Sequence, residues 1–123
     1  MNKKLKEFRK IRALQEIPRS SRYGSLTNCS KFWYGIGHEH YRVMSDIVWK
    51  LASQDFECYT EVTLNNGKRM DIVAISPSGD LYNVEVLNSE KEDRYNEKLE
   101  SYPIEFTMVQ VFTKDFDINT WKL

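Results

Sequence analysis

Long apolar runs are missing from this chain of 123 residues, and so is a surplus of either charge: 18 basic side chains balance 18 acidic ones. No stretch approaches the roughly 18 consecutive apolar residues that cross a bilayer as a helix, so no membrane-spanning segment is expected. Cysteine is scarce as well. Cys29 and Cys58 lie in unrelated segments without Cys-x-x-Cys spacing, which argues against a disulfide scaffold. No apolar run follows the basic start, so secretion is not indicated and the expected compartment is the reducing cytoplasm.

The zero balance hides an uneven distribution. Residues 1–31 carry nine basic side chains, including Lys3, Lys4, Arg9, Lys10 and Arg12, against only Glu7 and Glu16, so the remainder is acidic by the same excess. Leu5, Phe8, Ile11 and Leu14 recur three residues apart among those basic positions, the pattern of a short amphipathic helix with a cationic face that Pro18 ends. Arg19 to Ser30 has the composition of a loop. The expected organisation is a basic arm over 1–30, part of or appended to one domain over 31–123.

Within that domain the periodicity changes from helix to strand. Tyr41, Met44, Ile47, Val48 and Leu51 predict a helix over 38–53 packed by one face. Three short β-branched or aromatic runs follow, at 57–64, 69–76 and 81–87, separated by the turn sequences NNGK and PSGD, and they predict a meander. Ser89 with Glu92 forms a capping box for a second helix whose Tyr95, Leu99 and Tyr102 repeat at helical spacing before Pro103. A last run over 104–112 predicts a strand parallel to the third through a right-handed crossover.

Two carboxylates interrupt the apolar strands. A three-residue loop of Pro77, Ser78 and Gly79, with Gly79 in the left-handed position, pairs Ser76 with Asp80 and sets Asp71 opposite Glu85 on one face. Opposed like charges in a partly apolar setting favour a proton or a shared cation. Hard oxygen donors at strand ends suit Mg2+ or Mn2+, which keep several waters and need few protein carboxylates. The alternative is that strand curvature leaves both acids wet at the sheet edge.

An aspartate on the second strand, a Glu-x-Lys-like element on the third, a glutamate near the start of the preceding helix and a helix–strand continuation resemble the PD-(D/E)XK, or restriction-endonuclease-like, nuclease superfamily. The resemblance covers residues 37–112 and is to small single-domain members such as archaeal Holliday junction resolvases and related archaeal and viral proteins. It implies an α/β fold with an αβββαβ core, a mixed central sheet flanked by helices, and metal-dependent endonuclease activity on DNA phosphodiester bonds, branched or structured DNA included. Asp71 matches the strand-two aspartate, Glu85 the first position of Glu-x-Lys, and Glu39 in GIGHEHY the helix glutamate that completes the metal site. The lysine position is Leu87, a departure that puts catalysis in question, because a leucine can neither orient an attacking water nor balance phosphate charge. Lys68, Lys91 and Lys98 are candidate substitutes, and Lys98 is favoured because it flanks the packed face of the second helix.

Other residues have plainer readings. Glu61 falls opposite Asp71 if Asn65, Asn66 and Gly67 form the first hairpin loop, and on the other face with a two-residue loop; an exposed strand glutamate is the simpler expectation. His38 and His40 lack the HExxH spacing of a zinc helix, and His40 reads as a packed helix residue. Glu90 and Glu92 suit the amino end of the second helix. Arg94, with the basic arm, suits a nucleic acid backbone, and two copies of so small a domain would span two strands as a homodimer. The competing expectation keeps the fold and drops the chemistry, leaving a nucleic-acid-binding or assembly module.

Overall fold

A computed structural model describes residues 4, 5, 7, 8, 11, 27–30, 32, 35–63, 69–87 and 106–123. Their order is α1 (His38–Ala52), β1 (Glu57–Thr63), β2 (Arg69–Ile75), β3 (Leu81–Leu87) and β4 (Thr107–Phe112), with a single 3-10 turn at Thr113–Asp115. The chain is therefore α/β, with one mixed four-stranded sheet in the order β1-β2-β3-β4. β1 to β3 form the expected antiparallel meander, and β4 runs parallel to β3. The second helix expected after Ser89, including Glu90, Lys91, Glu92, Arg94 and Lys98, lies outside the described residues, as does Lys68.

Apolar spacing sets how α1 packs. Val43, Met44, Ile47, Val48 and Leu51 are buried on one face of the helix, against Cys58, Ile72, Ala74, Val84, Val86 and Val111 on the sheet. Full burial of each such aliphatic side chain contributes roughly 1.5–3 kcal/mol. The opposite sheet face is built from Tyr59, Val62, Met70, Val73, Ile75, Leu81 and Phe106, with Met108 against it. β2 and β3 are interior strands covered on both faces, so their residues are buried almost without interruption. Asp71, Asn83 and Glu85 are thereby drawn toward the interior, whereas Arg69 at the start of β2 stays exposed.

The β2–β3 hairpin has the predicted register. Ser76 N–H donates to the Asp80 carbonyl at 2.9 Å, Gly79 takes a φ of 89°, and the pairs run from Ile75–Leu81 to Ile72–Val84. At the other edge, the amide of Cys58 donates to Asn28 Oδ1 at 2.8 Å and Thr60 Oγ1 donates to the Cys29 carbonyl at 2.8 Å. Residues 28 and 29 thus cover the outer edge of β1, which would otherwise present unpaired backbone groups. Of the amino-terminal segment, Lys4, Leu5, Glu7, Phe8 and Ile11 have helical backbone, and all five are exposed. Among the described residues no helix is long and apolar enough to cross a membrane.

Candidate functional site

β1 and β2 pair from Glu57–Ile75 to Thr63–Arg69, and the step that drops out of this ladder is Glu61 opposite Asp71. Glu61 has a φ of 50°, a left-handed conformation that costs a residue with a Cβ about 1–2 kcal/mol. The distortion shifts side-chain alternation in both strands. Tyr59 and Val62 are three residues apart yet share one core cluster, and so do Met70 and Val73. Residues three apart in an undistorted strand point to opposite faces. The slip falls on Glu61 and Asp71, and both carboxylates turn toward the first turn of α1.

His40 meets them there. Its Nε2 lies 3.7 Å from Asp71 Oδ1 and 4.0 Å from Glu61 Oε1, and the three donor atoms all fall within 4.8 Å of one another. The His40 contacts are too long for hydrogen bonds. Each carboxylate is fixed by its other oxygen: Arg69 Nη1 donates to Glu61 Oε2 at 3.1 Å, and the Val86 amide donates to Asp71 Oδ2 at 2.8 Å. The side chains of Glu61, Asp71 and His40 are 8%, 18% and 19% exposed, so the cluster is mostly dry with a remaining opening to solvent.

This donor set fits a divalent cation. Ligand distances of ~2.0–2.2 Å place neighbouring donors ~3–3.5 Å apart, slightly closer than the separations here, so modest side-chain closure would complete three protein contacts. Two carboxylate oxygens and one imidazole leave coordination positions open for water and for an anionic substrate.

Asp71 is the one expected ligand found in this cluster. The expectation that Asp71 and Glu85 face each other as a metal-binding pair requires correction: the register is right, but the paired ladder stops at Ile72–Val84 and the slip turns Asp71 toward α1. Glu85 keeps normal alternation and is 1% exposed on the opposite face. There its Oε1 is 3.4 Å from Asn83 Nδ2, an amide that also lies 3.6 Å from Met108 Sδ.

Glu39 is displaced in a different way. It is exposed and forms a two-pronged pair with Arg42, at 3.2 and 2.9 Å, while Arg42 also approaches Asp46 at 3.6 Å. The hydrogen bonds and charge of that guanidinium hold the Glu39 carboxyl below its ordinary value of 4.5. The neighbouring helical position, His40, is the one turned toward the sheet. His38 is exposed at the start of α1. Leu87 is buried at 3% exposure, so the position at which the resemblance implies a lysine is filled by packing. Lys4 is exposed and helical, whereas Lys3, Arg9, Lys10, Arg12, Arg94 and Lys98 lie outside the described residues.

Glu61 and His40 are the participants that sequence patterning set aside. A signal for Glu61 did exist, since Thr63 pairs with Arg69 in the register that sets Glu61 against Asp71. Comparison of the chain with protein-family models, with curated proteins and with solved structures gives no match in any of the three.

Proposed function

We propose that the chain is a divalent-metal-dependent hydrolase of DNA phosphodiester bonds, built on a restriction-endonuclease-like core. The observation that carries this reading is the convergence of His40 Nε2, Glu61 Oε1 and Asp71 Oδ1 beside a solvent opening, on a helix and two strands of a rigid α/β layer. The element order supports it, because the helix, the meander and the parallel fourth strand are those the resemblance implies.

A bound Mg2+ or Mn2+ would neutralise phosphate charge and acidify a water at the scissile bond. Asp71 and Glu61 would orient that charge, because each has its second oxygen anchored. Glu85, buried one residue from the amide that holds Asp71, would act on the site through the backbone of β3. Lys98 remains the proposed amine for the attacking water, and the cationic arm containing Lys3, Lys4, Arg9, Lys10 and Arg12, with Arg94, would follow the DNA backbone, two copies acting as a homodimer.

Branched, single-stranded and duplex DNA should be incubated with the protein in Mg2+ or Mn2+, beside Asp71→Asn and His40→Ala. The expected result is cleavage by the wild type and its loss in both variants; equal residual cleavage in all three would eliminate the proposal. A second reading, a nuclease-fold protein that binds without cutting, is favoured by the buried Leu87. Steeply salt-dependent binding without cleavage would decide for it.

A further inference from the structure

We infer that the His40–Glu61–Asp71 centre selects a first-row transition dication, with Mn2+ as its probe, over Mg2+. This rests on the metal-binding part of the proposed function and is independent of any cleavage of DNA.

Donor chemistry carries the first step. Mg2+ is hard, dehydrates reluctantly and is served by oxygen ligands, whereas an imidazole nitrogen gains most from the later first-row ions. In this cluster one of three donors is the Nε2 of His40, so a nitrogen stands where the family resemblance implies a carboxylate.

Anchoring carries the second step. Arg69 occupies Glu61 Oε2 and the Val86 amide occupies Asp71 Oδ2, so each acid offers one oxygen and the protein supplies only two hard donors. Two oxygens are little with which to displace water from Mg2+, and the imidazole nitrogen adds little for so hard an ion. For a transition ion that nitrogen contributes more of the binding, so its loss costs such an ion more than it costs Mg2+.

The third observation concerns how Glu61 is held and aimed. Its side chain is more than nine-tenths buried, and Oε1, aimed at His40, accepts no hydrogen bond among the described residues. That oxygen stays free to take a cation, which it would share with Asp71 Oδ1 at the opening of the cluster. The left-handed backbone at Glu61 aims that oxygen, and local strain of this kind persists where the surroundings over-determine it.

The test uses the full chain, stripped with a chelator and free of nucleic acid. Mn2+ binding is followed by electron paramagnetic resonance, with Mg2+ as competitor, in wild type, His40→Asp and Glu61→Gln. The wild type is expected to bind one Mn2+ per chain, to resist at least a roughly tenfold excess of Mg2+, and to show nitrogen modulation of the bound-ion signal. His40→Asp is expected to lose the modulation and about tenfold of the Mn2+ over Mg2+ preference, and Glu61→Gln to lose saturable binding. Absence of saturable Mn2+ binding, displacement by equimolar Mg2+, or nitrogen modulation that survives His40→Asp would each overturn the inference. If His40→Asp fails to fold, the wild-type modulation and competition decide alone. Selective Mn2+ binding without DNA cleavage would sink the nuclease reading and leave this one standing; cleavage with no Mn2+ preference would do the reverse.

Discussion

Glu61 and Asp71 stand opposite each other across the β1–β2 hairpin at the step where ladder pairing lapses, and both carboxylates turn to His40. The left-handed φ of Glu61 is the local cause. Glycine and alanine both lose the pair with Arg69, but only glycine also removes the steric penalty of the Cβ. Glu61→Gly is therefore expected to be more stable than Glu61→Ala by about 1 kcal/mol, the reverse of the usual order in a strand interior. Urea midpoints of the two variants check this, and an alanine variant at least as stable as the glycine one would show that the backbone at 61 is unstrained.

Asp71 has a structural task as well as an expected chemical one. Its Oδ2 accepts the Val86 amide, which lies inside a buried strand. Truncation to alanine leaves that donor without a partner, at a cost of about 1–3 kcal/mol, while asparagine retains a carbonyl acceptor. Asp71→Asn is expected to unfold close to the wild type and Asp71→Ala clearly earlier, in the same denaturant titration. Equal midpoints would mean that water replaces the carboxylate at Val86. This is why the asparagine variant is the cleaner probe of metal binding and cleavage.

The parts of the fold set by period and by turn chemistry were legible in the sequence. The helical stripe from Met44 to Leu51, the three-strand meander and the Pro77–Gly79 hairpin follow from side-chain spacing and from the need for one left-handed glycine. The site was less legible because strict alternation assigns Asp71 to the face of Val73 and Ile75. A non-glycine residue with positive φ violates that rule without a compositional signal, and Glu61 does so here. One slip moved Asp71 away from Glu85 and brought Glu61 to it. Glu39 and His40 differ by only 100° or so around the helix, and apolar spacing alone does not say which of two polar neighbours faces the sheet.

Glu39 supplies a direct check on that correction. Its carboxylate is engaged by Arg42 on the exposed side of α1, so Glu39→Gln is expected to leave Mn2+ affinity within about twofold of wild type. The depressed ionisation of Glu39 also fixes a sign for pH dependence: the pair's contribution to stability is present above the ordinary value of 4.5 and is lost as pH falls below it. Thermal unfolding of wild type and Glu39→Gln should therefore converge in acid. A large loss of Mn2+ affinity in the variant would return Glu39 to the centre.

Lys50 ties the carboxyl-terminal turn to the helix. Its ammonium donates to the carbonyls of Ile118 and Trp121, and the turn itself is closed by Trp121 N–H to the Asp117 carbonyl at 2.9 Å. Phe116 and Trp121, with ring centres 6.1 Å apart, pack beside the α1 core. Lys50→Met keeps the aliphatic stem and removes the charged donor, so a loss of about 1–2 kcal/mol is expected, allowing for partial exposure. Hydrogen exchange at Thr120 and Trp121 should quicken more than exchange within β2. Uniform quickening through the sheet would indicate that the turn is part of the global folding unit.

Cys58 behaves as a core residue and not as a nucleophile. It is fully buried beneath α1, and desolvation pushes its thiol up from 9.0 to about 12, because the thiolate finds no compensating charge there. Cys29 is exposed, so an alkylating reagent at neutral pH is expected to modify Cys29 promptly and Cys58 only at the rate of unfolding. The linkage has a definite sign. The unfolded chain loses this proton near 9 and the folded chain does not until about 12, so Cys58 makes the protein progressively less stable as pH rises through that window. Cys58→Ala removes the titrating group at the cost of a small cavity, and its unfolding midpoint should fall less steeply between pH 9 and 11 than that of the wild type. Parallel pH profiles for the two proteins would mean that the thiol ionises without leaving the fold, which only a water path to Cys58 beneath α1 would allow.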